Sequence, residues 1–216
     1  MRRSSVGRHA ALSCAGIHLR AGTTRGSAPR RGGELRSILG PDIVSARALS
    51  GRRRVEYITA RAWIRDLVRD RLNEPWHGFA VRTAGEKPRL HRSDIDVSIS
   101  HTGEHLVVAV AERGRIGVDV ERVGAIFDQP ALVHRMCSDL ESRRLADIAP
   151  TSRRAWLTQL WSVKESYAKA LGVGLSQPFA EIDAAGLSRA DGVRGVWTPA
   201  TGDTELKLAV TWLAPR

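Results

Sequence analysis

Residues 157–172 carry the sequence pattern that most limits what this chain can fold into. Apolar side chains recur there at helical spacing, which predicts an amphipathic helix with one face in a core. The side chains of this face are Leu157, Leu160, Trp161, Ala168 and Leu171. Gly172 predicts the end of the helix. Glu165 and Lys169 are four residues apart on one flank, so their head groups can meet a common third group.

A second motif, residues 116–121, reads as a strand. Asp119 and Glu121 are two apart and point to one face, while Val118 and Val120 point to the other. A Glu and a Lys four apart on a helix most often form a solvated surface pair. The second acidic motif favours another interpretation, in which three carboxylates and a lysine form a site for a hard cation and a phosphate.

The positive charge of the chain is unevenly distributed. The net charge is +11, and residues 1–33 hold seven Arg and no acid, so +7 lies there and +4 remains for residues 34–216. Residues 1–35 are rich in Arg, Gly and Ser without lasting periodicity, which predicts a basic, disordered extension. The mildly basic remainder suits a phosphate ligand or an acidic protein partner.

Lysine is scarce, because only four of the 34 basic residues are Lys. Three of them, Lys87, Lys164 and Lys169, lie in the motifs discussed here, which hints that a compact ammonium is needed at those places. Lys164 falls on the apolar face of its helix, so it is either structural or reaches the edge of a site along its alkyl stem.

The two cysteines and the hydropathy pattern limit the cellular compartments in which we expect this protein. Cys14 and Cys137 are far apart in sequence, as in a cytoplasmic protein without disulfides. No apolar run approaches the ~20 residues that a membrane span needs, so we expect no membrane partner.

The order of predicted elements is helix then strands, twice. This order predicts an α+β protein of two similar halves, residues 36–115 and 116–216, after the extension of residues 1–35. The elements are a helix over 53–72, strands near 95–99, 106–111 and 116–120, helical stretches over 131–137 and 138–146, a helix from about 152, and strands near 179–182, 195–197 and 206–213. Arg53 and Arg61 lie two turns apart on one side of the first helix, where the simpler interpretation is a solvated arginine face.

Five motifs in this order resemble the 4′-phosphopantetheinyl transferase family, in its larger pseudo-dimeric form that activates siderophore, peptide and polyketide synthases. They are the helix start at residues 53–61, Lys87-Pro88, Ser100-His101, the strand 117–121 and the helix 161–169. The match covers about residues 50 to 175. The sequence departs from the family pattern at Gly85-Glu86-Lys87-Pro88, where an acid stands between the usual Gly and Lys.

The resemblance implies a fold, an activity and a metal. The fold would be two α+β halves with the active site at their junction, in a monomer. The activity would be transfer of 4′-phosphopantetheine from coenzyme A to a serine of an apo acyl or peptidyl carrier protein, with release of adenosine 3′,5′-bisphosphate. Magnesium would be held by Asp119, Glu121 and Glu165. Lys169 would offset diphosphate charge, and Glu165 would take the serine proton, directly or through water.

The resemblance also implies contacts with coenzyme A. Arg53 and Arg61 would clamp its 3′-phosphate, and Ser100-His101 would face the diphosphate, to which His101 donates. Lys87 and Pro88 would line the adenine side. Asp119 and Lys169 complete the predicted set of residues that bind coenzyme A.

Two other functions fit parts of the sequence. A basic nucleic-acid-binding protein would explain the Arg-rich start, yet with 5% aromatic residues the chain shows no surface motif that mixes aromatic and basic side chains. Another magnesium-dependent phosphohydrolase would use the same carboxylates but does not predict Lys87, Ser100-His101 or Arg61. We therefore do not expect nucleic acid to be the partner.

Overall fold

The structure, a computed structural model, describes residues 8–12, 16–25, 32–79, 86–91, 94–174, 178–187, 194–198 and 204–215. The chain divides into two units, Met1–Gly114 and Arg115–Arg216. Each unit contains an antiparallel sheet and at least one long helix. The mixture of helix and sheet agrees with the predicted α+β class. The sequence placed the boundary between the halves one residue later, and the site at their junction stays a prediction.

The first unit places helices and a four-stranded sheet around one long helix. Its elements are β1 (Arg8–Leu12), β2 (Ile17–Thr23), α1 (Gly32–Leu39), α2 (Ile43–Arg47), α3 (Gly51–Arg71), β3 (Asp96–Thr102) and β4 (His105–Ala111). The strand order is β1-β2-β4-β3, with all neighbours antiparallel. Ile64 and Leu67 of α3 share a buried cluster with Val97 and Val108 of the sheet. The predicted helix and the first two predicted strands are therefore confirmed.

The prediction that residues 1–35 form a disordered extension is wrong for the residues described there. β1 and β2 form a hairpin, and β2 pairs along its whole length with β4 from Ile17↔Ala111 to Thr23↔His105. Ile17 and Leu19 are 1% and 3% exposed. Apolar residues alternate over the seven positions of β2, but the Arg and Gly around them make the segment resemble a disordered one in composition. Residues 1–7, 13–15 and 26–31 lie outside the described residues.

The second unit packs one long helix against a three-stranded sheet. Its elements are β5 (Arg115–Arg122), α4 (Pro130–Met136), α5 (Asp139–Asp147), α6 (Pro150–Leu171), α7 (Ala184–Leu187), β6 (Arg194–Trp197) and β7 (Leu206–Leu213). The strand order is β5-β7-β6, again antiparallel. A strand predicted near residues 179–182 is wrong, because Phe179–Glu181 is a 3-10 turn. Phe179 and Ile182 are both buried, and a single turn brings residues three apart to one side.

Local sequence signals explain where α5 and α6 begin and end. Pro150 occupies the first turn of α6, where its missing N–H breaks no hydrogen bond. Gly172 ends α6 in a left-handed conformation (φ 76°), which glycine adopts without strain. Ser138 and Glu141 form a capping box at the start of α5. Leu157, Leu160 and Ala168 are buried as predicted, with Trp161 and Leu171 half-buried.

Of the helices in the part of the chain that the structure describes, none is long and apolar enough to cross a bilayer.

Candidate active site

A glycine brings the long helix of the second unit close to the edge strand of its sheet. A Cβ placed on Gly117 of β5 would lie 1.8 Å from the carbonyl oxygen of Ser166 in α6, so no other residue fits without displacing the helix. Ser166 Oγ also lies 2.7 Å from Thr211 Oγ1 of β7, which pairs with Gly117. This face of the sheet therefore contacts α6 with almost no side chain between the two backbones.

Asp119 shares that face with Gly117, because residues two apart on a strand point to the same side. Its side chain is 2% exposed. Lys169 of α6 donates from Nζ to Asp119 Oδ1 at 2.8 Å, and its Nζ lies 3.8 Å from Oε1 of Glu165. The structure thus joins the two predicted motifs through one ammonium that contacts two carboxylates.

Glu165 lies in an environment that disfavours its charge. Burial is the main cause that raises the pKa of Glu165, the Asp119 carboxylate raises it further, and Lys169 opposes both. Oε2 of Glu165 is buried and accepts no hydrogen bond from the residues that the structure describes. A carboxylate of this kind can hold a proton or accept a cation.

Glu121 continues the same face of β5 one step further along the strand. It pairs across the sheet with Lys207 of β7 and is only half-buried. Together with Trp161, Phe127 and Leu132 it lines a cavity of about 550 Å³ within the second unit. Glu121 therefore stands at an opening with apolar walls, whereas Asp119 lies deeper on the same face.

The three carboxylates do not form a ready metal cluster. Among the described residues, no three His, Cys, Asp or Glu side chains are grouped closely enough to hold one ion. The cation that contacts both Asp119 and Glu165 is the ammonium of Lys169. Oxygen donors of this type suit a hard cation such as Mg²⁺, and buried Oε2 of Glu165 is an acceptor of the same kind.

Lys164 is structural rather than exposed at the edge of a site. Its side chain is 0% exposed, and Nζ donates to the Met136 carbonyl oxygen at 2.7 Å, to Glu141 Oε2 at 2.5 Å and to the Phe179 carbonyl oxygen at 2.8 Å. All three protons of the ammonium are therefore used. Lys164 fastens α6 to the end of α4, to α5 and to the turn at Phe179–Glu181.

The two arginines predicted to act together have different environments. Arg53 is exposed near the start of α3. Arg61 is 5% exposed, donates from Nε to Asp42 Oδ2 at 2.8 Å, and stacks on the Tyr57 ring. Tyr57 donates its hydroxyl to the same Asp42 oxygen. The interpretation of a solvated arginine face is therefore wrong for Arg61, and its role toward a phosphate stays a prediction.

The remaining predicted residues of the first unit lie on or near β3. Lys87 forms an ion pair with Asp96 at the start of that strand, and Pro88 follows it half-buried. Ser100 is buried near the end of β3, and His101 next to it is exposed. Gly85 of the predicted turn lies outside the described residues. Their roles in binding coenzyme A stay predictions.

The sequence patterns did not predict the contacts of four residues in these clusters. They are Asp42, Glu141, Lys207 and, as a position of close approach, Gly117. Asp42 and Glu141 are buried partners of basic side chains 19 and 23 residues away. No local spacing predicts such pairs. Lys207 could have been found from the alternation of its strand, which places it on one face with Ala209 and Thr211.

The sequence of the second unit is similar to that of known proteins. The sequence profile of the 4′-phosphopantetheinyl transferase superfamily matches residues 115–204. The chain is 32% identical over 136 residues to the human L-aminoadipate-semialdehyde dehydrogenase-phosphopantetheinyl transferase, a match that covers 55% of this chain and 42% of that protein.

Two bacterial relatives are similar as well. A 4′-phosphopantetheinyl transferase of Bacillus subtilis is 36% identical over 102 residues, which is 46% of this chain and 43% of the relative. The 4′-phosphopantetheinyl transferase gsp of Aneurinibacillus migulanus is 33% identical over 85 residues, which is 39% of this chain and 35% of the relative. The matches cover less than half the length of each of these relatives. Residues 115–204 therefore match the sequence profile of the 4′-phosphopantetheinyl transferase superfamily, and the relatives to which the chain is similar are named phosphopantetheinyl transferases.

Proposed function

We propose that this chain transfers the 4′-phosphopantetheine group of coenzyme A to a serine of an apo acyl or peptidyl carrier protein. The reaction breaks the bond between the β-phosphorus and the leaving phosphate oxygen, and it releases adenosine 3′,5′-bisphosphate. The serine oxygen forms the new bond to phosphorus and its proton is removed. Carrier proteins of siderophore, polyketide or nonribosomal peptide assembly are the acceptor class that we propose.

The observation that carries the proposal is the contact of Lys169 Nζ with Asp119 Oδ1 at 2.8 Å. It unites the two motifs of the resemblance, which lie 50 residues apart in sequence. A buried carboxylate, a half-buried carboxylate and an ammonium on one face provide the charges that phosphoryl transfer needs. The family match of residues 115–204 supports the same assignment.

Magnesium belongs to the proposal, with Asp119, Glu121 and Glu165 as the residues that would hold it. Although the three are not grouped around one point, their chemistry suits the ion, because all three supply carboxylate oxygens and a positive charge is already stabilised between two of them. When bound, the ion would offset negative charge on the diphosphate. Lys169 would contribute a second positive charge at the same place.

Glu165 is our candidate for the group that accepts the serine proton. A general base works best when its pKa lies near the operating pH, and burial raises the pKa of Glu165 from its ordinary value. Its position on the rigid helix α6, fixed by Lys164 next to it, holds the carboxylate in place. Both features support the assignment.

For the first unit, we propose contacts with coenzyme A. Exposed Arg53 is suited to bind the 3′-phosphate, and exposed His101 to donate to the diphosphate. Arg61, Lys87, Pro88 and Ser100 complete the proposed set. A monomeric state and a cytoplasmic location are part of the same proposal.

The decisive experiment incubates the full chain with coenzyme A, Mg²⁺ and an apo carrier protein, and measures the mass of the carrier protein. We expect the mass to rise by one phosphopantetheine group, EDTA to prevent the rise and Mg²⁺ to restore it. Asp119→Ala should abolish it. A chain that binds nucleic acid or hydrolyses phosphate esters but leaves the carrier protein unchanged would contradict the proposal.

A further inference from the structure

Lys169 holds the place between Asp119 and Glu165 that a cation would take. Its Nζ donates to Asp119 Oδ1 at 2.8 Å and lies 3.8 Å from Glu165 Oε1. The Asp119 side chain is 2% exposed and that of Glu165 is 17% exposed. Two carboxylates this close and this poorly hydrated need a positive charge between them, and the chain supplies one itself.

A divalent ion and this ammonium compete for the same oxygen atoms. A metal ligand must offer its lone pair to the ion, and an oxygen that accepts a hydrogen bond from an ammonium offers it less well. Like charges also repel strongly where water is scarce. We therefore propose that Lys169 is the internal counter-ion of this site, and that a divalent cation must displace its ammonium from Asp119 and Glu165 in order to bind.

The displacement has a direct consequence for Lys169. Once a cation neutralises the two carboxylates, the ammonium loses its hydrogen-bond acceptor on Asp119, and the proton that it donated there becomes available to another anion. Its flexible side chain, which is 24% exposed, permits this movement. Lys169 would thus contact a phosphate-bearing ligand only after the cation has bound. This inference rests on the proposed metal site but concerns a step before any substrate arrives.

The test measures cation binding without coenzyme A, so it does not depend on activity. Mn²⁺ is titrated into the full chain, and free Mn²⁺ is followed by electron paramagnetic resonance. Lys169→Met removes the competing charge and keeps the length of the side chain. We expect Lys169→Met to bind Mn²⁺ about tenfold or more tightly than the wild type, because a charge-assisted hydrogen bond no longer has to be broken. Lys169→Arg keeps the charge and should bind as weakly as the wild type.

The matched control is Arg154→Met, which removes a positive charge from the same helix, roughly 22 Å away at the rise of an α-helix. It should leave Mn²⁺ affinity unchanged, since exposed charges at that distance are screened. Circular dichroism verifies the fold of each variant, and Lys169→Gln replaces Lys169→Met if the latter does not fold.

The outcomes separate this inference from the proposed function. Equal affinity in Lys169→Met and the wild type would overturn the inference while the metal site stands. Weaker affinity in Lys169→Met would also overturn it, since the lysine would then assist the cation. Absence of Mn²⁺ binding in every variant would overturn the metal assignment together with the inference.

Discussion

Gly117 of β5 lies directly beneath the carbonyl oxygen of Ser166 in α6, so closely that a Cβ on the glycine would come within 1.8 Å of that oxygen. Ala170 N would lie 2.6 Å from the same Cβ. Both contacts are to backbone atoms, which cannot rotate away as a side chain does. This contact sets the distance between Asp119 on the strand and Lys169 on the helix.

Gly117→Ala should therefore separate α6 from β5 and weaken the site before it unfolds the chain. Overpacking of this kind destabilises by about 1–3 kcal/mol or more. We expect urea denaturation to show that loss, together with loss of phosphopantetheine transfer. Gly33→Ala is the control, because a Cβ there meets no atom within 4 Å. Wild-type stability and activity in Gly117→Ala would contradict the close-packing argument.

The hairpin near the start of the chain leads to a second prediction, because β2 is an integral strand of the first sheet. Ile17→Ala should destabilise the protein by about 2–5 kcal/mol, since Ile17 is 1% exposed and sits in a core. Thr23→Ala, at the exposed end of the same strand, should change stability by no more than about 0.5 kcal/mol. Equal unfolding midpoints for the two variants would show that β2 is not part of the cooperative unit.

The sequence predicted the long helices and the strands of the two motifs because their periodicity extends over many residues. Such spacing predicted helix α6 and its end at Gly172. It also predicted that Asp119 and Glu165 lie near the same cation. Two errors have a common cause. β2 is a short segment among Arg and Gly, and Phe179–Glu181 is a single turn, so composition and short-range alternation misled in both places.

The buried ion pairs were beyond the reach of sequence reasoning for a different reason. Asp42 pairs with Arg61 in the first unit, and Glu141 pairs with Lys164 in the second. In each pair the two residues belong to different elements that are far apart in sequence. Burial of a charge depends on what packs around it, and the residue type alone argues against it. The burial of Arg61 and the three hydrogen bonds of Lys164 therefore became visible only in the fold.

Lys164 leads to a third prediction, about stability. Lys164→Met leaves the buried Glu141 carboxylate without its counter-charge and removes one donor from each of two carbonyl oxygens, and we expect a loss of about 3–5 kcal/mol. Arg154→Gln breaks the exposed ion pair with Asp128 and should lower stability by about 1 kcal/mol or less. Chemical denaturation of both variants gives the comparison, and similar losses would refute a structural role for Lys164.

Glu165 leads to a prediction about pH. Burial, with the Asp119 charge in support, raises the pKa of Glu165 in the fold, so the folded chain keeps a proton that the unfolded chain has lost. Stability should fall as pH rises from the ordinary glutamate pKa through the raised one, and stay lower above it. Glu165→Gln cannot ionise, so it should exceed the wild type in Tm at about pH 8 and match it at about pH 4.

The measurement is a thermal scan at both pH values in buffer with EDTA, so that no cation binds the carboxylate. Exposed Glu181 supplies the control, and Glu181→Gln should shift stability by no more than about 0.5 kcal/mol at either pH. A Glu165→Gln variant that is less stable than the wild type at the higher pH would mean that Lys169 outweighs burial.

Arg53 and Arg61 of α3 allow structural and binding roles to be separated. Arg61→Ala removes the partner of buried Asp42 and should destabilise the fold by about 3–5 kcal/mol. Arg53→Ala removes an exposed side chain and should leave stability within about 0.5 kcal/mol. Thermal unfolding of the two variants without any ligand measures this difference.

A role of exposed Arg53 toward the 3′-phosphate should appear as a difference in KM between two donors. Coenzyme A carries a 3′-phosphate that dephospho-coenzyme A lacks, and that phosphate is remote from the bond broken. Loss of a remote charge-assisted contact raises KM roughly ten- to a hundredfold and spares kcat. We therefore expect Arg53→Ala to raise KM for coenzyme A but not for dephospho-coenzyme A, whereas Lys169→Ala should lower kcat with both donors. Kinetics with both donors at saturating carrier protein decide the matter, and an equal effect of Arg53→Ala on the two donors would place the 3′-phosphate elsewhere.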